Sequence, residues 1–190
     1  MFGPNARPIL QAITSDDISN DVLPFGASKT IDIAGCPVSA LRVSYVGELG
    51  WELHLPTEYA AAVNDAIHHA GAIHGLRNAG YRVIETLRLE KGFRAWSADI
   101  GPDHTPFEAG LGFAVKLDTN LAFSGSDALM AQASDGVKKR MTIFTTAPGV
   151  ILLGRETIYR NGVRVGGLVR PGLAIPSANR LAWALCAAIR

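Results

Sequence analysis

Apolar and polar residues alternate in two runs between Lys29 and Gly47, broken at Gly35–Pro37, and this alternation predicts two β-strands. On the second, Leu41, Val43 and Tyr45 share one face. After Gly47-Glu48-Leu49-Gly50 the alternation resumes as Trp51, Leu53 and Leu55 against Glu52 and His54, so a β-hairpin is expected. The spacing then becomes helical. Thr57 reads as the N-cap of a helix whose apolar stripe is Tyr59, Val63, Ala66, Ile67 and Ala70, ended by Gly71. A second helix is expected over Tyr81–Lys91, with Val83, Ile84 and Leu87 as its stripe, Glu85 in reach of Arg88, and Gly92 closing it.

Before these elements, Asn5–Ala12 reads as a short helix and "TSDD" at Thr14–Asp17 as another helix start, while Pro24 and Gly26 mark a loop. After them, "TPFE" at Thr105–Glu108 is a capping box with Pro106 at the first helical position, feeding "AGLGFAVKLD", where strand is expected. From Asp118 the character shifts to a loop, a helix capped near Ser124 or Ser126, and strands over Val137–Thr145 and Thr157–Val165. Asn161-Gly162 splits the last of these as a two-residue hairpin turn. The fold class this predicts is α+β: an antiparallel sheet with packed helices in residues 1–117, then a β-rich module in 118–190.

Composition narrows the classes. The chain has 190 residues, 48% hydrophobic and 18% charged, with a net charge of +1, which describes a folded protein with no basic stripe for nucleic acid and no polybasic patch for a membrane surface. Cys36 and Cys186 are far apart and outside any CxxC, so neither a disulfide framework nor a zinc site is expected, and a reducing, cytoplasmic setting fits. The first residues lack the pattern of a targeting segment, and the apolar run Leu181–Ile189 is too short to span a bilayer. Both ends are abrupt, as in a piece of a longer chain.

Most motifs with apparent chemistry have plainer explanations. The five histidines fall in no HExxH, and no metal site is expected. The glycine pairs of "GELG" and "GLG" do not open a helix after a strand, so they read as turns rather than phosphate loops. Arg88–Lys91, "RLEK", has the spacing of a solvated face or an internal ion pair. Glu52 has two readings: an exposed carboxylate on a strand edge, or a group facing a cleft. In the second, a heterocycle with an amidine-like edge, such as a pterin or guanine, would offer a fork of two N–H groups to the carboxylate, with Tyr45 supplying a flat face.

"SYVGELGWEL" at 44–53 resembles the signature of the tetrahydrofolate-dependent aminomethyltransferase family, the T-protein of the glycine cleavage system. It is closer still to the folate region at the C-terminal end of dimethylglycine and sarcosine dehydrogenases. "GPNARPILQAITSDD", "PFGASKTIDIAG", "LRLEKGFRAWSADIGPDHTPFEAGLGFAVKLD" and "FSGSDAL" follow in family order, so the resemblance runs from about Gly3 to Gly167. It implies a three-part cloverleaf around a folate channel, with residues 118–190 as an incomplete β-barrel-like module. Its cofactor-binding residues would be Tyr45 and Glu52 at the pterin and Phe93 as an aromatic wall. Ile84 stands where T-proteins carry a folate-contacting arginine, which favours the dehydrogenase-linked branch; Arg82 is the neighbouring candidate to replace it.

The implied reaction is transfer of a one-carbon unit from an N-methyl or aminomethyl donor to tetrahydrofolate, giving 5,10-methylenetetrahydrofolate. FAD would belong only to an upstream domain. The family's catalytic aspartate precedes "GPNAR", so no catalytic residue is assigned in this chain, and little turnover is expected from it alone. The alternatives are a free-standing T-protein-like enzyme served by a lipoyl carrier protein and a non-catalytic folate-binding regulatory module. An uncovered barrel edge would favour a homo-oligomer or a further segment as partner.

Overall fold

Ile31 and Ile33 on one strand face Val38 and Cys36 on the next, and all four side chains are buried. In the computed structural model, which describes residues 1–119, 121–147, 150–173 and 180–187 and side chains through 169, these strands are β1 (Ser28–Ile33) and β2 (Cys36–Leu41). Ala34 and Gly35, at φ 54° and 78°, form the two-residue turn between them, as the break in the alternation predicts. The chain divides into two units, Met1–Ile84 and Glu85–Arg190.

In the first unit the sheet order is β1-β2-β3, with β3 (Glu52–His54) antiparallel to β2 so that Leu41 faces Glu52 and Ala40 faces Leu53. Ala6 and Leu10 of α1 (Ala6–Gln11), Ile18, Leu23, Trp51 and Val63 of α2 (Ala60–Gly71) complete the core over this sheet. Each fully buried aliphatic side chain contributes about 1.5–3 kcal/mol. Pro37 cannot donate to the ladder, and β1, an edge strand, turns the Asp32 N–H outward to the Asp16 carboxylate at 2.9 Å.

Three expectations in this unit change. "TSDD" starts no helix: Asp16 N–H bonds the Thr14 hydroxyl at 3.2 Å and Ser19 N–H the Asp17 carboxylate at 2.8 Å, local turns that compete with helical bonding. The second strand stops at Leu41, and Val43 and Tyr45 lie beyond it. Arg42 N–H goes to Ala27 O at 2.9 Å and Arg42 O accepts from Gly26, after which Val43 N–H turns back onto Leu41 O at 3.0 Å. The hairpin partners are therefore right, but a long loop joins them in place of a tight turn. Thr57 lies inside a 3-10 turn (Thr57–Tyr59) and makes no capping bond, and Tyr59 is exposed.

α2 does end at Gly71, for a packing reason. Leu76 folds back on it, donating its N–H to Gly71 O at 3.0 Å, and a Cβ at Gly71 would lie 2.6 Å from that of Leu76. The left-handed residue is Gly75, at φ 69°.

In the second unit α3 (Tyr81–Lys91), which begins just before the boundary, has its expected limits, with Gly92 at φ 82° ending it. Its buried residues are Arg88 and Leu89, whereas Val83, Ile84 and Leu87 are half-buried. The capping box forms reciprocally, Thr105 N–H to Glu108 at 3.1 Å and Glu108 N–H to the Thr105 hydroxyl at 3.2 Å, around a single helical turn. "AGLGFAVKLD" is not a strand: Gly110 at φ 71° breaks the direction, a 3-10 turn occupies Gly112–Ala114, and Phe113 is exposed. α4 (Ser126–Asp135) is present, but its N-cap is Gly125 at φ 88°, which neither Ser124 nor Ser126 would adopt readily.

Four antiparallel strands close this unit: β4 (Lys139–Thr146), β5 (Thr157–Arg160), β6 (Val163–Leu173) and β7 (Arg180–Ala187), in the order β4-β7-β6-β5. Asn161 and Gly162, at φ 52° and 77°, turn β5 into β6 as expected. Residues 188–189 of the apolar C-terminal run lie outside the described residues. Met141 of β4 packs with Leu89 of α3, Ile100 and Ile143, and its N–H donates to Glu108 O at 2.8 Å, fixing the capped turn to the sheet.

Candidate functional site

The loop between β2 and β3 combines a buried anchor with exposed chemistry. Val46 and Trp51 are buried, while Tyr45 is 37% exposed. Trp51 N–H donates to Met1 O at 3.0 Å and Gly3 N–H to Leu49 O at 2.8 Å, so residues 1–3 border the end of the loop. Glu52 and His54 then project on the solvent side of β3, opposite the buried Trp51 and the half-buried Leu53. The Glu52 carboxylate is 48% exposed and lies 3.4 Å from His54 Nε2. Its charge also reaches the Met1 amine, whose acidity is set first by burial, which lowers its pKa, with Glu52 opposing. A carboxylate so exposed keeps acceptor capacity for a ligand.

Phe93 belongs to the second unit, half-buried just after α3. Its backbone is held on both sides: Phe93 N–H donates to Arg88 O at 2.8 Å, and Arg88 Nη1 donates to Phe93 O at 3.0 Å. The Arg88 guanidinium is wholly buried, ion-paired with the equally buried Asp99 and bonded to Glu85 at 2.8 Å. Asp99 in turn accepts from Ala95 N–H at 2.8 Å, so the turn from Phe93 to Asp99 wraps around one guanidinium. Burial pushes the Arg88 pKa down, but the hydrogen bonds and charges of Asp99 and Glu85 outweigh it and hold it above its ordinary value.

Of the three residues the resemblance singles out, Tyr45 and Glu52 thus occupy one loop-and-strand segment, and Phe93 occupies the wrapped turn of the other unit. The Glu85–Arg88 pair is the internal ion pair that the spacing allows. Asp99 is a residue the sequence reading missed; its signal is an acid set in the otherwise weakly polar "WSADIG" directly after the helix. Among the described residues no group of three His, Cys, Asp or Glu side chains is arranged to hold a metal, and no helix is long and apolar enough to cross a membrane.

Residues 1–119 match the family described as the GCVT N-terminal domain. The chain belongs to that family. The GCVT match runs from the first unit into the capped turn of the second, and so includes Tyr45, Glu52, Phe93 and the Arg88–Asp99 pair. The chain is 47% identical to the mitochondrial sarcosine dehydrogenase of Homo sapiens over 95% of its length and 41% identical to the mitochondrial dimethylglycine dehydrogenase of Homo sapiens over 96%. It spans only about a fifth of those relatives, 20% and 21%. A crystal structure of the glycine cleavage system aminomethyltransferase T from Bartonella henselae matches with a TM-score of 0.68 at 24% identity, covering 79% of this chain and 42% of that one. The mixed helix and antiparallel sheet arrangement is thus an aminomethyltransferase-like fold.

Proposed function

We propose that this chain is the tetrahydrofolate-binding part of a sarcosine or dimethylglycine dehydrogenase-like enzyme, in which a one-carbon unit from an N-methyl or aminomethyl donor is accepted as 5,10-methylenetetrahydrofolate. The observation that carries this reading is the 47% identity with sarcosine dehydrogenase over nearly the whole chain. Residues 1–117 would be the C-terminal portion of the folate-binding domain, and 118–190 part of a larger β-barrel-like module.

The residues present fit a pterin. Glu52 offers two exposed carboxylate oxygens to a fork of N–H donors, and Tyr45 an exposed ring for stacking or a hydroxyl for bonding. Phe93, its backbone fixed by Arg88, would supply an aromatic wall. Tetrahydrofolate supplies the amines that take up the carbon; the part of this chain is to bind and orient it. FAD would belong to the remainder of the parent enzyme.

Titration with tetrahydrofolate, followed by the fluorescence of the three tryptophans, tests the reading. Saturable quenching is expected; no change up to millimolar ligand would remove the folate assignment. A free-standing aminomethyltransferase fed by a lipoyl carrier protein is separated by donor: the proposed enzyme uses sarcosine or dimethylglycine with its flavin domain, the alternative an aminomethyl group on the carrier.

A further inference from the structure

Two arginines of the first unit share one amide oxygen. Arg7 Nη2 donates to Asn20 Oδ1 at 2.7 Å and Arg42 Nη1 to the same atom at 2.6 Å, so the two guanidinium groups have nitrogens within about 5 Å of each other. Both also lie against one aromatic ring, 5.3 and 5.5 Å from the centroid of Trp51. Their remaining protein acceptors are neutral carbonyls, Ile18 O for Arg7 and Leu23 O for Arg42. Both hydrogen bonds of Arg42 leave from Nη1, so its Nε and Nη2 edge, the fork that matches an oxyanion, is unused by the described residues.

Charge and donor accounting agree. No ion pair among the described residues involves Arg7 or Arg42. Asp17, whose acidity is strengthened chiefly by its bonds to Ser19 and slightly by Arg7, is already an acceptor for the Ser19 N–H at 2.8 Å. Arg42 is held below its ordinary pKa first by burial and then by the charge of Arg7, as expected for two cations pressed together with no ion-paired carboxylate among the described residues. The indole N–H of the fully buried Trp51 also has no acceptor among the described residues. A cluster with two cations, surplus donors and only neutral acceptors is completed by a negatively charged acceptor.

We propose that Arg7 and Arg42, braced on Trp51 and Asn20, form a binding site for an oxyanion group, a carboxylate or a phosphate carried by a small molecule. This is independent of the pterin reading, because none of Tyr45, Glu52 and Phe93 takes part.

The test is isothermal titration calorimetry of the purified chain with inorganic phosphate and with succinate, at ionic strength held constant with chloride, alongside thermal unfolding. Saturable binding of at least one probe is expected, with a rise in the melting temperature that follows the same saturation. Binding of phosphate alone assigns the site to phosphate esters; binding of succinate alone assigns it to carboxylates. Arg42→Gln should weaken the bound probe about tenfold, the loss of one charge-assisted fork, and Arg42→Lys less. If neither probe binds saturably, or if folded Arg42→Gln binds as the parent does, the proposal is wrong. Should Arg42→Gln fail to fold, the chloride-matched titration of the parent and the Arg7→Gln variant decide it alone.

Discussion

Replacing Asp99 by asparagine leaves a cation without its main partner in the interior of the second unit. The exchange keeps size and one carbonyl oxygen, so Ala95 N–H and one guanidinium N–H retain an acceptor, but the charge opposite a wholly buried Arg88 is gone. Removing one partner of a buried pair costs about 3–5 kcal/mol, mostly the penalty of the ion left behind. Glu85 stays at 2.8 Å with a side chain 27% exposed, and Phe93 O stays at 3.0 Å, so the lower end, about 3 kcal/mol, is expected. The raised pKa of Arg88 gives stability that is complete below its unfolded value and lost only as pH climbs through a folded value higher still. The guanidinium therefore stays charged wherever the chain folds and cannot escape by deprotonating.

Urea unfolding at neutral pH, followed by circular dichroism, measures the change. The double variant Arg88→Met/Asp99→Leu removes both charges and should be less destabilised than Asp99→Leu alone, giving a coupling energy of about 2 kcal/mol or more in the cycle with the single variants Arg88→Met and Asp99→Leu. A cost below about 1 kcal/mol for Asp99→Asn, or a double variant worse than the sum of the singles, would refute the view that one buried pair organises the turn from Phe93 to Asp99.

Gly71→Ala should destabilise the first unit by about 1–3 kcal/mol in the same assay, because its Cβ would meet the Leu76 side chain at its root, where no rotamer change relieves it. Gly71→Ala together with Leu76→Ala should recover part of that loss. The Asp16 pKa is depressed, first by the Asp32 N–H and then by Lys29, so its contribution is complete above the unfolded carboxylate value and falls away as pH drops below about 4. Asp16→Asn should lower the melting temperature at pH 7 and converge with the parent as pH drops below about 4, flattening the acid limb; an unchanged acid limb would count against the Asp16–Asp32 link.

Where the signals were local, the sequence was readable. The 3.6-residue spacing of Tyr81–Lys91, the turns at Gly35 and Asn161-Gly162, and the Thr105–Glu108 box each depend on residues a few positions apart. The failures came from partners distant in the chain or from competing local bonds. Thr14–Asp17 has helix-starting residues, but its carboxylates are used by Ser19 and by the edge of β1. The alternation through Val43 and Tyr45 continues on paper, yet after Arg42, which still bonds across to Ala27 and Gly26, Val43 N–H turns back onto Leu41 O and the strand ends. Arg88 was visible as one half of an i, i+3 pair, but its burial depends on Asp99, eleven residues on. For the candidate site, the Tyr45 and Glu52 signature was legible only through resemblance, since spacing alone favours an exposed strand-edge carboxylate.

Glu52 is where the folate reading is most exposed to refutation. Calorimetric titration of tetrahydrofolate into the parent chain, Glu52→Gln, and Glu48→Gln as an exposed control on the same loop measures it directly. The account expects Glu52→Gln to weaken binding by about 1.5–3 kcal/mol, the range for a hydrogen bond to a charged group, with Glu48→Gln unaffected. Equal affinity in all three would contradict the assignment of Glu52 to the pterin.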